Sequence, residues 1–217
     1  MNHSDTAVVV TTFCGEPDIE LKKHMTKTLV KSLKERDLFV CLAAHSIVSE
    51  EIQQYCDVVI YDKDNSFQVN GQPQVNPNHG VAEFTSIHNA INSLERFGFK
   101  NIFKLSYDCN PTVDYNYIID KSKSHDRHLV TGRWHYAYDT AGSLGFFCDI
   151  DFYRNILPID RTTPRLNMAM EDVLFHILRE RNLFEYVHLY ENYETYFENA
   201  HVQFCHHGGK VVESYNF

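Results

Sequence analysis

The chain has 217 residues, 43% hydrophobic and 23% charged, with a formal net charge of −9. Such a length and mix suit one globular domain with a sizeable core and exclude a disordered or fibrous chain, while the acidic balance argues against a nucleic-acid partner, which calls for a basic stripe to displace counterions from phosphates. No apolar run reaches the roughly eighteen residues of a transmembrane segment, and the N-terminal "MNHSDTAVVV" lacks the basic and long apolar parts of a signal peptide, so a cytoplasmic protein is expected.

The first half alternates in period. "TAVVVTTF" reads as a buried strand, and beyond "CGEPD" the residues Leu21, Met25, Leu29 and Leu33 recur about one helical turn apart. "LFVCLAAH" predicts a second strand, "SEEIQQYC" a short helix with Ser49 as its N-cap, and "DVVIYD" a third strand. Such βαβαβ order is the mark of a parallel sheet covered by helices. Residues 63–78 are polar, carry two prolines and have no period, and are expected to form a loop. A helix follows over "GVAEFTSIHNAINSLERFGF", with Val81, Phe84, Ile87 or His88, Ile91 and Leu94 on one face and Gly98 as its C-cap. The strand "NIFKLSY" comes next.

The second half is less regular. "RHLVTG" and "LGFFCDI" read as strands separated by "RWHYAYDTAG", and "MAMEDVLFHILRERN" is a helix with Val173, Leu174, Ile177 and Leu178 on one side and Asn182 as its stop. The tail "HVQFCHHGGKVVESYNF" mixes a short strand with a loose end. The six cysteines (Cys14, Cys41, Cys56, Cys109, Cys148 and Cys205) form no C-x-x-C pair and are expected to be reduced core residues.

Two phosphate-binding devices are missing from the sequence: neither G-x-x-x-x-G-K-[ST] nor a G-x-G-x-x-G after the first strand occurs. In open α/β sheets the ligand sits outside the carboxyl ends of the strands, which singles out Thr11 and Thr12, His45 and Ser46, Asp62 and Asp64, and Asp108 with Asn110. "KLSYDCNP" is the most telling of these stretches, because an apolar strand stops abruptly where Asp108 appears. Asp108 either closes a turn on its own backbone or carries charge for a ligand.

These residues, with "AAHSIVSEEIQQYCDVVIYDKDN" and the acidic helix start "MEDVLFH", resemble a nucleotide-sugar glycosyltransferase of the GT-A fold, of the family-2 kind, over most of the chain. The resemblance implies an α/β single domain, a Rossmann-like mixed and mostly parallel sheet flanked by helices, with residues 1–110 as the nucleotide-sugar-binding half and 111–217 as the acceptor-binding half. It implies transfer, with inversion, from a nucleoside-diphosphate sugar to a glycan or glycolipid acceptor, as in polysaccharide biosynthesis. The family's metal-binding Asp-x-Asp motif is degenerate here, either Ser106-Tyr107-Asp108 or Asp108-Cys109-Asn110.

By that resemblance Asp108, Asn110 and the late His206 are the metal ligands for Mn²⁺ or Mg²⁺, hard ions that bridge carboxylates and diphosphate oxygens. Asp172, or else Glu171, supplies the catalytic base, the alternative being two acids complementing a helix dipole. Thr11, Thr12, His45, Asp62, Asp64 and Lys104 join Asp108 in the sugar-nucleotide set, although His45 also suits a core position. Arg133 and Trp134 belong to an aromatic-polar cluster suited to stacking on a sugar, and core packing accounts for Trp134 as well. Two other readings stand beside this one: a sugar-1-phosphate nucleotidyltransferase, whose Gly-rich first loop is absent from "TTFCGEPDIELKK", and a non-catalytic sugar-nucleotide or glycan-binding module.

Overall fold

The computed structural model describes residues 4–12, 18–45, 47–61, 68–69, 72–73, 79–111, 113–132, 145–156, 170–190 and 197–199. The first strand, β1 (Thr6–Thr12), is buried along its whole length, as its run of β-branched residues requires when both faces of a sheet are covered. Helix α1 (Ile19–Lys34) follows and buries Met25, Leu29 and Leu33 of the stripe read from the sequence, with Val30 added and Leu21 only partly covered. Then come β2 (Val40–Ala44), the short α2 (Glu50–Gln53) and β3 (Val58–Tyr61). Ser49 stands at the α2 N-cap in extended conformation, but its side chain makes no capping hydrogen bond.

The expectation of an unbroken loop over 63–78 is corrected in part. Two short strands, β4 (Gln68–Val69) and β5 (Gln72–Pro73), pair antiparallel. Asn70-Gly71 lies between them in sequence, the dipeptide favoured in two-residue hairpins. Helix α3 (His79–Leu94) leads through a 3-10 turn, Glu95–Phe97, to Gly98 at φ 83, a left-handed cap. A Cβ there would meet nothing within 4 Å, so the backbone angle and not space calls for glycine.

Strand β6 (Asn101–Ser106) is followed by β7 (Cys109–Pro111), α4 (Tyr115–Lys123), β8 (Leu129–Gly132), β9 (Gly145–Asp149), α5 (Ile150–Ile156), α6 (Met170–Glu180), β10 (Val187–Tyr190) and β11 (Phe197–Asn199). The sequence reading missed α4, α5, β7, β10 and β11. The α4 signal was present: Asp114 accepts from the Asn116 backbone N–H at 2.9 Å, a true N-cap. Beyond α6, Asn182 adopts φ 55 and stops the helix as expected.

Seven strands form one sheet in the order β10-β8-β9-β6-β1-β2-β3, to which residues from both halves of the chain contribute. Strands β6, β1, β2 and β3 are mutually parallel, and β9 runs antiparallel to both β6 and β8. One face packs Val8, Val10, Leu42 and Phe103 against Leu29 and Leu33 of α1 and Ile118 of α4. The other packs Val9, Cys41 and Ile102 against Phe84 and Ile91 of α3, Tyr153 of α5 and Leu174 of α6. The result is a three-layer α/β/α mixed, mostly parallel sheet. Each fully buried leucine or phenylalanine contributes about 1.5–3 kcal/mol by leaving water. Cys41, Cys56, Cys109 and Cys148 are free thiols, and Cys14 and Cys205 lie outside the described residues.

Candidate functional site at the carboxyl edge of the sheet

The chain runs β1 to β2 to β3 on one side of β1, and α3 then carries it back across to β6 on the other side. That reversal creates a topological switch point between β1 and its neighbours, where open α/β sheets hold their ligands. Short backbone bonds extend the edge past the strands: the Tyr107 N–H donates to the Thr11 carbonyl at 2.9 Å and the His45 N–H to the Thr12 carbonyl at 3.2 Å. Residues 11–12, 45 and 107–108 thereby share one rim.

The two threonines part company there, because successive side chains on a strand point to opposite faces. Thr12 Oγ1 lies 2.8 Å from Thr26 Oγ1 of α1. Thr11 Oγ1 points to the α3 face and donates to Glu83 Oε1 at 2.7 Å. The same carboxylate oxygen pairs with Lys104 Nζ at 2.5 Å and lies 3.4 Å from Ser106 Oγ, while Lys104 also donates to Ser106 Oγ at 2.6 Å. Lys104 is completely enclosed, and the Glu83 side chain remains 20% exposed.

Burial pushes the Glu83 carboxyl up, but the Lys104 charge and the bonds from Lys104 and Thr11 outweigh it and hold the group below its ordinary value. Beside this unit, Ser86 Oγ on α3 sits 3.2 Å from His45 Nε2. Glu83 and Ser86 are the site residues that sequence reading missed. They lie three apart on one helix, so they share a face, but nothing in the sequence says that this face meets the ends of β1 and β6.

Asp108 occupies the half-buried turn directly after β6, and its charge, after burial, is the next contributor to keeping the Cys109 thiol well above its usual range. The chain then leaves the main sheet: β7 pairs antiparallel with β11, Asn110 opposite Glu198 and Cys109 opposite Asn199. Glu171 and Asp172 fall in the first turn of α6, which packs on α3 through Val173, Leu174 and Ile177. The side chains of Asn110, Glu171 and Asp172, together with Ser46, Asp62, Asp64, Arg133, Trp134 and His206 entirely, lie outside the described residues.

Among the described residues no three His, Cys, Asp or Glu side chains converge as a metal cage. Mg²⁺ does not need one, since it keeps several waters and takes one or two carboxylates plus phosphate oxygens. Asp108, a hard oxygen donor at the rim, fits that mode. No helix among the described residues is long and apolar enough to cross a membrane.

No protein-family model and no curated protein sequence matches the chain. Solved structures do. A glycosyltransferase involved in glycosylation of the major capsid of PBCV-1 superposes with a TM-score of 0.52 at 11% identity, covering 86% of this chain and 82% of its own. The glycosyltransferase GlyE of Streptococcus pneumoniae TIGR4 gives 0.54 at 13% identity over 86% of this chain and 45% of that longer one. A cytidylyltransferase from Leptospira borgpetersenii gives 0.50 at 10% identity over 87% and 76%. Sequence identity this low carries the fold and nothing finer: the chain has the GT-A-like, Rossmann-like fold that these glycosyl- and nucleotidyltransferases share.

Proposed function

We propose that this protein is a nucleotide-sugar transferase that moves a sugar from a nucleoside diphosphate to the hydroxyl of a glycan or glycolipid acceptor, with inversion. The observation that carries the reading is the convergence of Thr11, Glu83, Lys104, Ser106 and Asp108 on the switch point of a sheet of this fold. A divalent ion, Mg²⁺ or Mn²⁺, would be held by Asp108 and would neutralise charge on the departing diphosphate. Asn110 and His206 are its proposed further ligands. His206 lies seven residues beyond Asn199, which pairs with Cys109 next to Asp108, so the chain is long enough to bring it there.

Asp172 or Glu171 takes the proton of the acceptor hydroxyl as its oxygen bonds to the sugar carbon and the bond to the diphosphate breaks. Thr11, Thr12, His45, Asp62 and Asp64 contribute to the donor site, and Arg133 and Trp134 to the acceptor side. Nucleotidyl transfer on the same fold has less support, because "TTFCGEPD" carries one glycine where a phosphate-wrapping loop is needed.

A thermal-shift screen of UDP, GDP, CDP and ADP and of their sugars, with and without Mn²⁺, tests this. A ligand that binds only the folded state raises the melting temperature, by the equivalent of about 2.7 kcal/mol at a hundredfold excess over Kd. A shift with at least one nucleotide sugar, larger with Mn²⁺, is expected. A flat response across the panel would refute the reading, and pyrophosphate release from a nucleoside triphosphate and a sugar phosphate would replace it with nucleotidyl transfer.

A further inference from the structure

Glu83 uses its two carboxylate oxygens unequally. Oε1 receives Lys104 Nζ, Thr11 Oγ1 and, at longer range, Ser106 Oγ, whereas Oε2 accepts no hydrogen bond among the described residues. The three partners come from β1 and β6, the strands on either side of the switch point, and Glu83 itself comes from the helix that crosses over it. The side chain is thus clamped in one pose across the crevice, with a fifth of its surface still open. A brace alone would have no need of that opening, and buried ion pairs are poor stabilisers because desolvation offsets their attraction.

We propose that Oε2 of Glu83 accepts a hydrogen bond from a hydroxyl of the ligand at the switch point, making Glu83 a specificity residue for a polyhydroxylated ring. This rests on the reading of the edge as a sugar-nucleotide site. Charge selects the partner. Lys104 neutralises Glu83 from behind, so the pair presents a strong acceptor with little net charge, which suits a neutral hydroxyl better than a metal ion or an ammonium group. The carboxyl's lowered protonation keeps it an acceptor at neutral pH. Two rings carry such hydroxyls, the ribose and the transferred sugar, and both offer the same chemistry.

Calorimetry on the full chain separates these sources. UDP, CDP, GDP and ADP are each compared with their 2′-deoxy and 3′-deoxy counterparts, and UDP with UDP-glucose and its deoxy-sugar analogues. Wild-type protein is expected to prefer one hydroxylated ligand over its deoxy partner by roughly tenfold to a hundredfold, the range for a hydrogen bond to a charged group. The double replacement Glu83→Met with Lys104→Met, which removes the pair without stranding a buried charge, should cut that preference below about threefold. Lys123→Ala, at the amino edge of the sheet and away from the switch point, should keep it.

Discrimination retained in the double variant overturns the proposal, as does its equal loss in Lys123→Ala or a change in base preference with hydroxyl discrimination intact. Wild-type protein that binds nucleotides but ignores every missing hydroxyl overturns it without any variant having to fold. Wild-type protein that binds no nucleotide refutes the donor reading itself, a different result.

Discussion

At the carboxyl edge of the sheet, Lys104 and Glu83 form an ion pair whose ammonium has no contact with water, whereas at the amino edge the pairs Lys123–Asp5 and His128–Asp149 stand partly open to it. The amino edge also holds a cleft of about 310 Å³ lined by Asn101, Lys123, His125, Arg127 and Asp149, with His125 stacked on His188 at 3.7 Å. Among its charged walls His128 and Asp149 already pair with each other, and Lys123 is held by Asp5. At the carboxyl edge the charge is shielded from water and therefore interacts strongly with whatever lies beside it.

The strongest way to sharpen this contrast is to remove the proposed base. If Asp172 or Glu171 deprotonates the acceptor, Asp172→Asn or Glu171→Gln should lower turnover by roughly a hundredfold to ten-thousandfold with donor binding nearly unchanged. Transfer kinetics and melting curves run together decide it, since two acids that only complement the α6 dipole would each cost about 0.3–1 kcal/mol of stability and leave the rate alone.

Next in size is the buried pair. Lys104→Met alone strands the Glu83 carboxylate and should cost about 3–5 kcal/mol in a denaturant titration. The sign of its pH dependence follows from Glu83 lying below its ordinary 4.5 in the folded chain. Its contribution is fully present above that value and is lost as pH falls through the lower folded one, so Lys104→Met should flatten the acid limb of the stability profile. An acid limb identical to wild type would mean that the pair does not couple to folding.

A smaller effect belongs to the rim. Asp108→Asn should leave melting in the absence of ligand unchanged and weaken Mn²⁺-dependent nucleotide binding by roughly tenfold or more, as loss of a carboxylate ligand to a hard ion implies. Wild-type affinity with Mn²⁺ would show Asp108 to be a turn residue. The smallest effect is expected at the opposite edge, where Lys123→Ala should cost about 0.2–1 kcal/mol and less in high salt. A loss comparable to that of Lys104→Met would break the comparison between the two edges.

Much of the fold was legible because its cores are written in period. β1 is a run of β-branched residues, the α1 stripe recurs by turns, and Gly98 and Asn182 mark helix ends by their tolerance of positive φ. Helix α5 was hidden because it starts at Ile150, immediately after β9, with no polar break to announce the change of period. The small β7–β11 ladder was hidden because it joins residues 109–111 to 197–199, and pairing across that separation leaves no local trace.

The candidate site divides along the same line. Sequence alone determined that polar residues stand at the carboxyl ends of the parallel strands, Thr11 and Thr12 as the last residues of β1, and His45 and Asp108 just beyond β2 and β6. Only the tertiary structure decided that Thr11 and Thr12 face opposite layers, that Lys104 is enclosed, and that Glu83 from a helix 21 residues away in sequence closes over them. The physical reason is that periodicity reports which residues leave water, whereas the pairing of one buried charge with another depends on the crossover that brings α3 across β1 and β6.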